Sequence, residues 1–200
     1  VSLGLVIGLS LGHGLFTIDI DAWTKAHIVG TLGGFVMMVI MGVAMVLIPM
    51  FSLSHGYSQQ WIERALYVHS AGVILAMGCL IFGFSSLVAI PLGLLMVSSF
   101  LFLIQMASIL KHRVRKQNDY WVKNIVFAFI CFTCSLIALW FNTILGGMLF
   151  FLGFLLPLIV GHIYKILPFL IWYEKFSPLV GKQKVPLLHQ MIHTKIADIQ

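Results

Sequence analysis

Apolar residues run along this chain in blocks too long for the alternation of a strand or the one-sided stripe of a soluble helix. No Asp, Glu, Lys or Arg interrupts the stretches between Lys25 and Glu63, between Arg64 and Lys111, or between Lys123 and Lys165. A helix needs about 20 apolar residues to cross a bilayer, so each gap holds a crossing, and the second and third are long enough for two. Gly83-Phe84-Ser85-Ser86 divides the second gap, and Asn142-Thr143 with Gly146-Gly147 divides the third, because Gly, Ser and Asn suit turns and helix ends. With the apolar opening added, the pattern predicts six spans near 1–16, 26–50, 62–83, 86–110, 122–143 and 147–173. The opening has no basic region and no small-residue cleavage pattern ahead of Asp19 and Asp21, so it reads as a helix rather than a signal peptide.

The expected fold is therefore all-α: a polytopic membrane protein with about six transmembrane helices in one bundle, residues 1–173, followed by a polar tail, 174–200. Leu187, Leu188, Met191, Ile192 and Ile196 in that tail suit a short amphipathic helix on the membrane surface. No linker, low-complexity stretch or internal repeat stands out.

Composition agrees with a membrane setting. Hydrophobic residues make up 60% of the chain and charged residues 9%, against roughly 25% in a soluble domain, and mean hydropathy is +1.06. Arg64, Lys111, Arg113, Arg115, Lys116, Lys123, Lys175, Lys182, Lys184 and Lys195 fall on one side of the six-span arrangement, and Lys25 alone on the other. That asymmetry predicts both ends in the cytoplasm of a bacterial inner membrane. It also assigns the basic run 111–116 to anionic lipid rather than nucleic acid. Three cysteines, all within predicted helices, exclude a secreted disulfide framework.

Histidine is where chemistry enters. His27, His69 and His162 fall in apolar helix, and His13 lies near the end of another. A polar ring is costly in lipid unless it is satisfied, so such positions point to a metal, a haem or a proton, or else to a hydrogen bond with a neighbouring helix. Depth estimated from helical rise predicts two levels: His13 with His27 at the outer edge, and His69 with His162 nearer the inner face. Paired imidazoles on separate helices are what a b-type haem needs. Gly30 and Gly34 lie on the His27 face, and Ala65, Gly72 and Ala76 on the His69 face. These small residues leave space for a flat macrocycle or, equally, let helices approach closely. Lys165, one turn beyond His162, is expected to snorkel to the headgroups or to pair with a propionate, a carboxylate or a substrate anion. His55, His112, His189 and His193 read as solvated.

The segments Ala26-His27-Ile28-Val29-Gly30, Gly33-Gly34-Phe35, Ile40-Met41-Gly42-Val43 and Leu47-Ile48-Pro49-Met50-Phe51 resemble the histidine-bearing second helix of proteins related to haem-copper oxidase subunit I. The stretch Gly161-His162-Ile163-Tyr164-Lys165-Ile166-Leu167-Pro168-Phe169 is similar to that family's sixth helix. The resemblance implies haem ligation by His27 and metal ligation by His162. It also extends to short relatives of that subunit and to haem- and copper-containing membrane proteins of nitric oxide tolerance. Two departures count against oxygen reduction by this chain alone. Tyr164 follows His162 by two residues where the oxidases have four, and the paired adjacent histidines of the oxidase copper site are missing.

Three functions follow as expectations. The first is a membrane redox protein that binds haem b through His27, His69 and His162 and passes electrons to a quinone or partner subunit, or handles a diatomic gas. The second is a copper-handling protein, because Met38, Met41 and Met45 form a stripe and Cys131 and Cys134 lie one turn apart, and soft sulfur ligands favour Cu(I). The third is a purely structural or transport subunit with satisfied histidines, and a homo-oligomer is compatible with each. Phosphate loops and H-E-x-x-H spacings are absent.

Overall fold

The computed structural model describes residues 2–13, 19–114, 116 and 119–186. Among them the chain is helical with no strand. It divides into two compact units, one ending at Val114 and the other beginning at Arg115.

The first unit contains α1 (Ser2–His13), α2 (Ile20–Ser52), α3 (Gln60–Ile81) and α4 (Ala89–Lys111). Asp19 starts α2 by accepting from the Ala22 N–H at 3.2 Å, so the helix begins about two turns before the apolar block. Those first turns carry an exposed ion pair, Lys25 to Asp21 at 2.6 Å. Within α2 the segment Val29–Val36 is a π-helix, flanked on both sides by α-helix. The helix ends where Leu53 adopts φ 52° and the Ser54 N–H reaches back to Pro49 O at 3.1 Å.

The loop after α2 is tied to α4. Ser54 donates to Ile109 O at 2.8 Å, and the fully buried Gln105 donates to Ser58 O at 2.9 Å. Gln105 also accepts from the Ile62 N–H at 3.3 Å, capping the start of α3, which has no cap from its own N-terminal residue. At the other end of α3, Gly83 takes φ 77° and the Phe84 N–H bonds Cys79 O at 2.8 Å, which closes the turn into α4.

The second unit contains α5 (Tyr120–Ala138) and α6 (Thr143–Lys175), with a π segment at Leu149–Leu155. Asp119 caps α5 through the Val122 N–H at 3.2 Å. Asn142 caps α6 through the N–H groups of Ile144 and Leu145, both at 3.0 Å. Gly146 is required at the turn: a Cβ there would lie 2.8 Å from the Leu139 backbone nitrogen. Phe129, Phe132, Phe150 and Phe154 form the aromatic core between the two helices, with the Phe132 and Phe154 rings stacked at 4.4 Å.

Five of these helices, α2 to α6, are long and apolar enough to cross a membrane, so the chain is a multi-pass α-helical membrane protein. Their bounds follow the predicted spans closely. α2 begins earlier because Asp19 caps it, and α5 ends at Ala138, before the predicted 143, because Asn142 starts the next helix. The predicted first span corresponds to α1 over Ser2–His13, and its last residues lie outside those described. The amphipathic stretch of the tail also lies outside them. α6 itself runs to Lys175, and the Trp172 indole N–H holds the chain beyond it through Pro186 O at 2.8 Å.

Candidate functional site

The π segment of α2 creates the first site. The Met37 N–H bonds Leu32 O and Gly34 O, and so passes over the carbonyl of Gly33 between them. A bypassed carbonyl inside an apolar helix is costly unless another donor reaches it. His69, 2% exposed on α3, supplies that donor: its Nε2 donates to Gly33 O. The other ring nitrogen, Nδ1, meets Ser98 Oγ of α4 at 2.8 Å. One imidazole thus joins three helices.

Both nitrogens of His69 are committed to protein atoms, whereas a metal ligand keeps one lone pair for the ion. The small residues expected to make room for a macrocycle adjoin helix-packing contacts. A Cβ on Gly30 would meet Met77 Sδ at 2.9 Å, one on Gly34 would meet Val73 Cγ1 at 3.1 Å, and one on Gly72 would meet Leu95 Cδ2 at 3.0 Å. Between the two readings of these residues, close helix approach is the one the neighbours support.

His27 and His13 are not neighbours. A Cβ on Gly4 would lie 3.3 Å from His27 Cε1, so the half-buried ring rests in the notch at Gly4. His13 closes α1, about 13 Å of helical rise from that notch, and is exposed. The expected pairing assumed that His27 sat at the helix edge. The early start of α2 at Ile20 places it about two turns in instead.

The second unit holds the other buried histidine. His162 on α6 donates Nδ1–H to Leu158 O, one turn back, at 2.7 Å. In the neutral ring this tautomer leaves the lone pair on Nε2, which is buried. Trp121 meets the ring edge-on with centroids 6.1 Å apart, and Gly161 beside it makes room for Asn124. His69 belongs to the first unit and His162 to the second.

Of the roles expected for Lys165, pairing with a carboxylate is the one the structure shows. The lysine Nζ lies 2.6 Å from Asp119 Oδ2, with side-chain exposures of 15% and 20%, and it sits 5.7 Å from the Tyr120 ring and 5.8 Å from the Trp121 ring. Asp119 therefore caps α5 with one oxygen and binds α6 with the other. Tyr120 completes this junction. Pro168 has no N–H, so the Tyr164 carbonyl lacks its helical donor, and the Tyr120 hydroxyl donates to it at 2.7 Å.

The residues that sequence reasoning missed are the partners: Gly4, Gly33, Ser98, Leu158, Asp119 and Tyr120. Only the Tyr120 contact had a local signal, since Pro168 guarantees an orphan carbonyl at Tyr164. The sulfur residues are spread over buried and exposed positions. Met41 is fully buried, Met38 and Met45 are half-buried, Cys131 stands opposite Gly153 and Cys134 is exposed. Among the described residues no group of three or more His, Cys, Asp or Glu converges as a metal site. His55 and His112 are exposed, as expected for solvated rings, and His189 and His193 lie outside the described residues.

What the fold and these sites define is a class, the multi-pass α-helical membrane protein with buried imidazoles. No family model, no curated protein and no solved structure matches the chain.

Proposed function

We propose that this chain is a bacterial inner-membrane redox protein, related to haem-copper oxidase subunit I, that binds b-type haem for electron transfer or the handling of a diatomic gas. In this reading the basic loops and the C-terminal end face the cytoplasm, which the lysine and arginine asymmetry supports, and the N-terminal end joins them there if α1 completes a sixth crossing. The observation that supports it best is the buried His162 ring, whose Nδ1–H is held by Leu158 O and which meets Trp121 edge-on. Fixing one nitrogen on a carbonyl and aiming the other at a metal is the usual preparation of an imidazole ligand.

His162 is therefore the ligand proposed first, and His27, resting in the Gly4 notch of the other unit, is a separate candidate. His69 does not fit the role, because Gly33 O and Ser98 Oγ hold both its nitrogens. Bound haem would supply a one-electron couple. The protein's own share is to orient Nε2, through Leu158 O, and to exclude water from it with Trp121. The Asp119–Lys165 ion pair joins α5 to α6 one turn along from His162.

The deciding experiment is a visible spectrum of protein purified from haem-replete cells, with iron and copper quantified in parallel. A Soret band that shifts on reduction, with stoichiometric iron, is expected. A colourless preparation carrying neither metal contradicts the reading, and copper without haem would move the function to copper handling.

A further inference from the structure

The contacts around His69 impose a proton count. A carbonyl oxygen only accepts, so Nε2 carries a hydrogen toward Gly33 O. Leu95 O also only accepts, and Ser98 Oγ lies 2.8 Å from it, so the single hydroxyl hydrogen points there. Ser98 Oγ then meets Nδ1, also at 2.8 Å, as an acceptor. All three contacts are hydrogen bonds together only when both ring nitrogens carry hydrogen.

The neutral ring has an equally complete set. Rotation of the Ser98 O–H turns it from Leu95 O to the Nδ1 lone pair, while Leu95 O keeps the Ser99 hydroxyl at 2.8 Å. No buried donor or acceptor is abandoned in either state, so the usual penalty for unmade hydrogen bonds is avoided in both. A histidine that served only to cap Gly33 O would need none of this second arrangement.

We propose that His69 is a proton-binding site within the membrane-spanning part of this protein. One proton is taken up on Nδ1, the ring passes from neutral to singly positive, and the Ser98 hydroxyl turns from Nδ1 to Leu95 O. The bypassed carbonyl of the α2 π segment faces the charge. A π segment inside a long helix is a frequent companion of function, and here its consequence is one carbonyl dipole aimed at an ionisable ring.

The surroundings keep the site isolated. Ser98 and Leu95 of α4 and Gly33 of α2 are uncharged. The other ionisable groups of α3 are Glu63, Arg64 and Tyr67, all exposed, and Cys79, nearly three turns away. On α2, Asp21 and Lys25 pair with each other and His27 rests against Gly4. On α4, Lys111 lies at the far end of the helix, more than three turns from Ser98. A protein that moves electrons inside a bilayer needs a place for a compensating proton, but the site at His69 stands on its own contacts and is independent of any metal at His162.

The test is the imidazole nitrogen spectrum of the full chain, labelled with 15N-histidine, in lipid nanodiscs between about pH 4.5 and 9. His69 is assigned by loss of its signals in His69→Gln or, should that variant not fold, by the contact of its Nε2 with the Gly33 carbonyl carbon. The expected result is an Nε2–H neutral tautomer at high pH that converts to the doubly protonated ring at low pH. The midpoint should move by about half a pH unit or more in Ser98→Ala, which removes both hydroxyl roles. A single unchanging tautomer over the whole range, or a midpoint indifferent to Ser98→Ala, overturns the proposal.

Discussion

The two longest helices use one backbone device in two ways. α2 and α6 are each 33 residues long and each carries a π segment. Gly34, Phe35, Gly42 and Pro49 of α2 recur at the same spacing as Gly153, Phe154, Gly161 and Pro168 of α6, and both π segments end just after the Gly-Phe pair. In α2 the carbonyl bypassed by the Met37 N–H is capped from outside, by His69. In α6 the Leu156 N–H likewise reaches back to Phe151 O, but the histidine belongs to the helix itself and bonds its own turn through Leu158 O. The same irregularity thus consumes an imidazole in one helix and accompanies a pre-oriented one in the other. The π segment alone does not say what a nearby histidine does; the location of its hydrogen bonds does.

The steepest way to break the likeness is through its shared glycine. Gly153→Leu would press a Cβ to within 2.8 Å of Cys131 Cβ, and Gly34→Leu would bring one to 3.1 Å from Val73, whereas Gly42 has no atom within 4 Å. Overpacking costs of about 3 kcal/mol for Gly153→Leu and about 2 kcal/mol for Gly34→Leu are expected in reversible unfolding in mixed micelles. Gly42→Leu is the control and should leave stability unchanged or raised.

Next comes the external cap. His69→Ala leaves Gly33 O without its donor and should cost about 2–3 kcal/mol by the same measurement, while His69→Gln, which retains an N–H, should recover a good part. Equal losses in both variants would mean that packing, not the cap, holds the π segment. The second unit's ion pair ranks below that. Lys165→Ala strands the partly buried Asp119 and should cost about 1–2 kcal/mol, an effect that shrinks when Asp119 is changed to Asn. The smallest effect sharpens the proline comparison. Tyr120→Phe should cost about 1 kcal/mol with Pro168 present and almost nothing in a Pro168→Ala background, where the restored backbone N–H can bond Tyr164 O itself. A cost unchanged by the proline would refute the orphan-carbonyl account of Tyr120.

How far the sequence could be read depended on the range of the cause. Charge-free gaps located all five long helices because the demand of a ~30 Å apolar layer is local and strong. The α2 start was misjudged because one cap, Asp19, adds polar turns ahead of the apolar block. The importance of His69 and His162 was visible in the rarity of buried imidazole. Their difference was not, since it rests on Ser98, 29 residues from His69, and on a carbonyl exposed by a change in helical pitch that no local pattern announces. The glycines were correctly singled out as small, but whether a ring or a helix adjoins them was settled only by Met77, Val73 and Leu95. The repeated spacing of α2 and α6 escaped notice because apolar residues interchange freely in lipid, leaving only Gly, Phe and Pro to carry it.

The division of labour between the two buried histidines is tested most directly by visible spectra of the parent protein, His162→Ala and His69→Gln, each purified from haem-replete cells and matched for folded protein. The account predicts a Soret band in the parent that survives in His69→Gln and is lost or displaced in His162→Ala. A band lost with His69→Gln and unaltered by His162→Ala would contradict it.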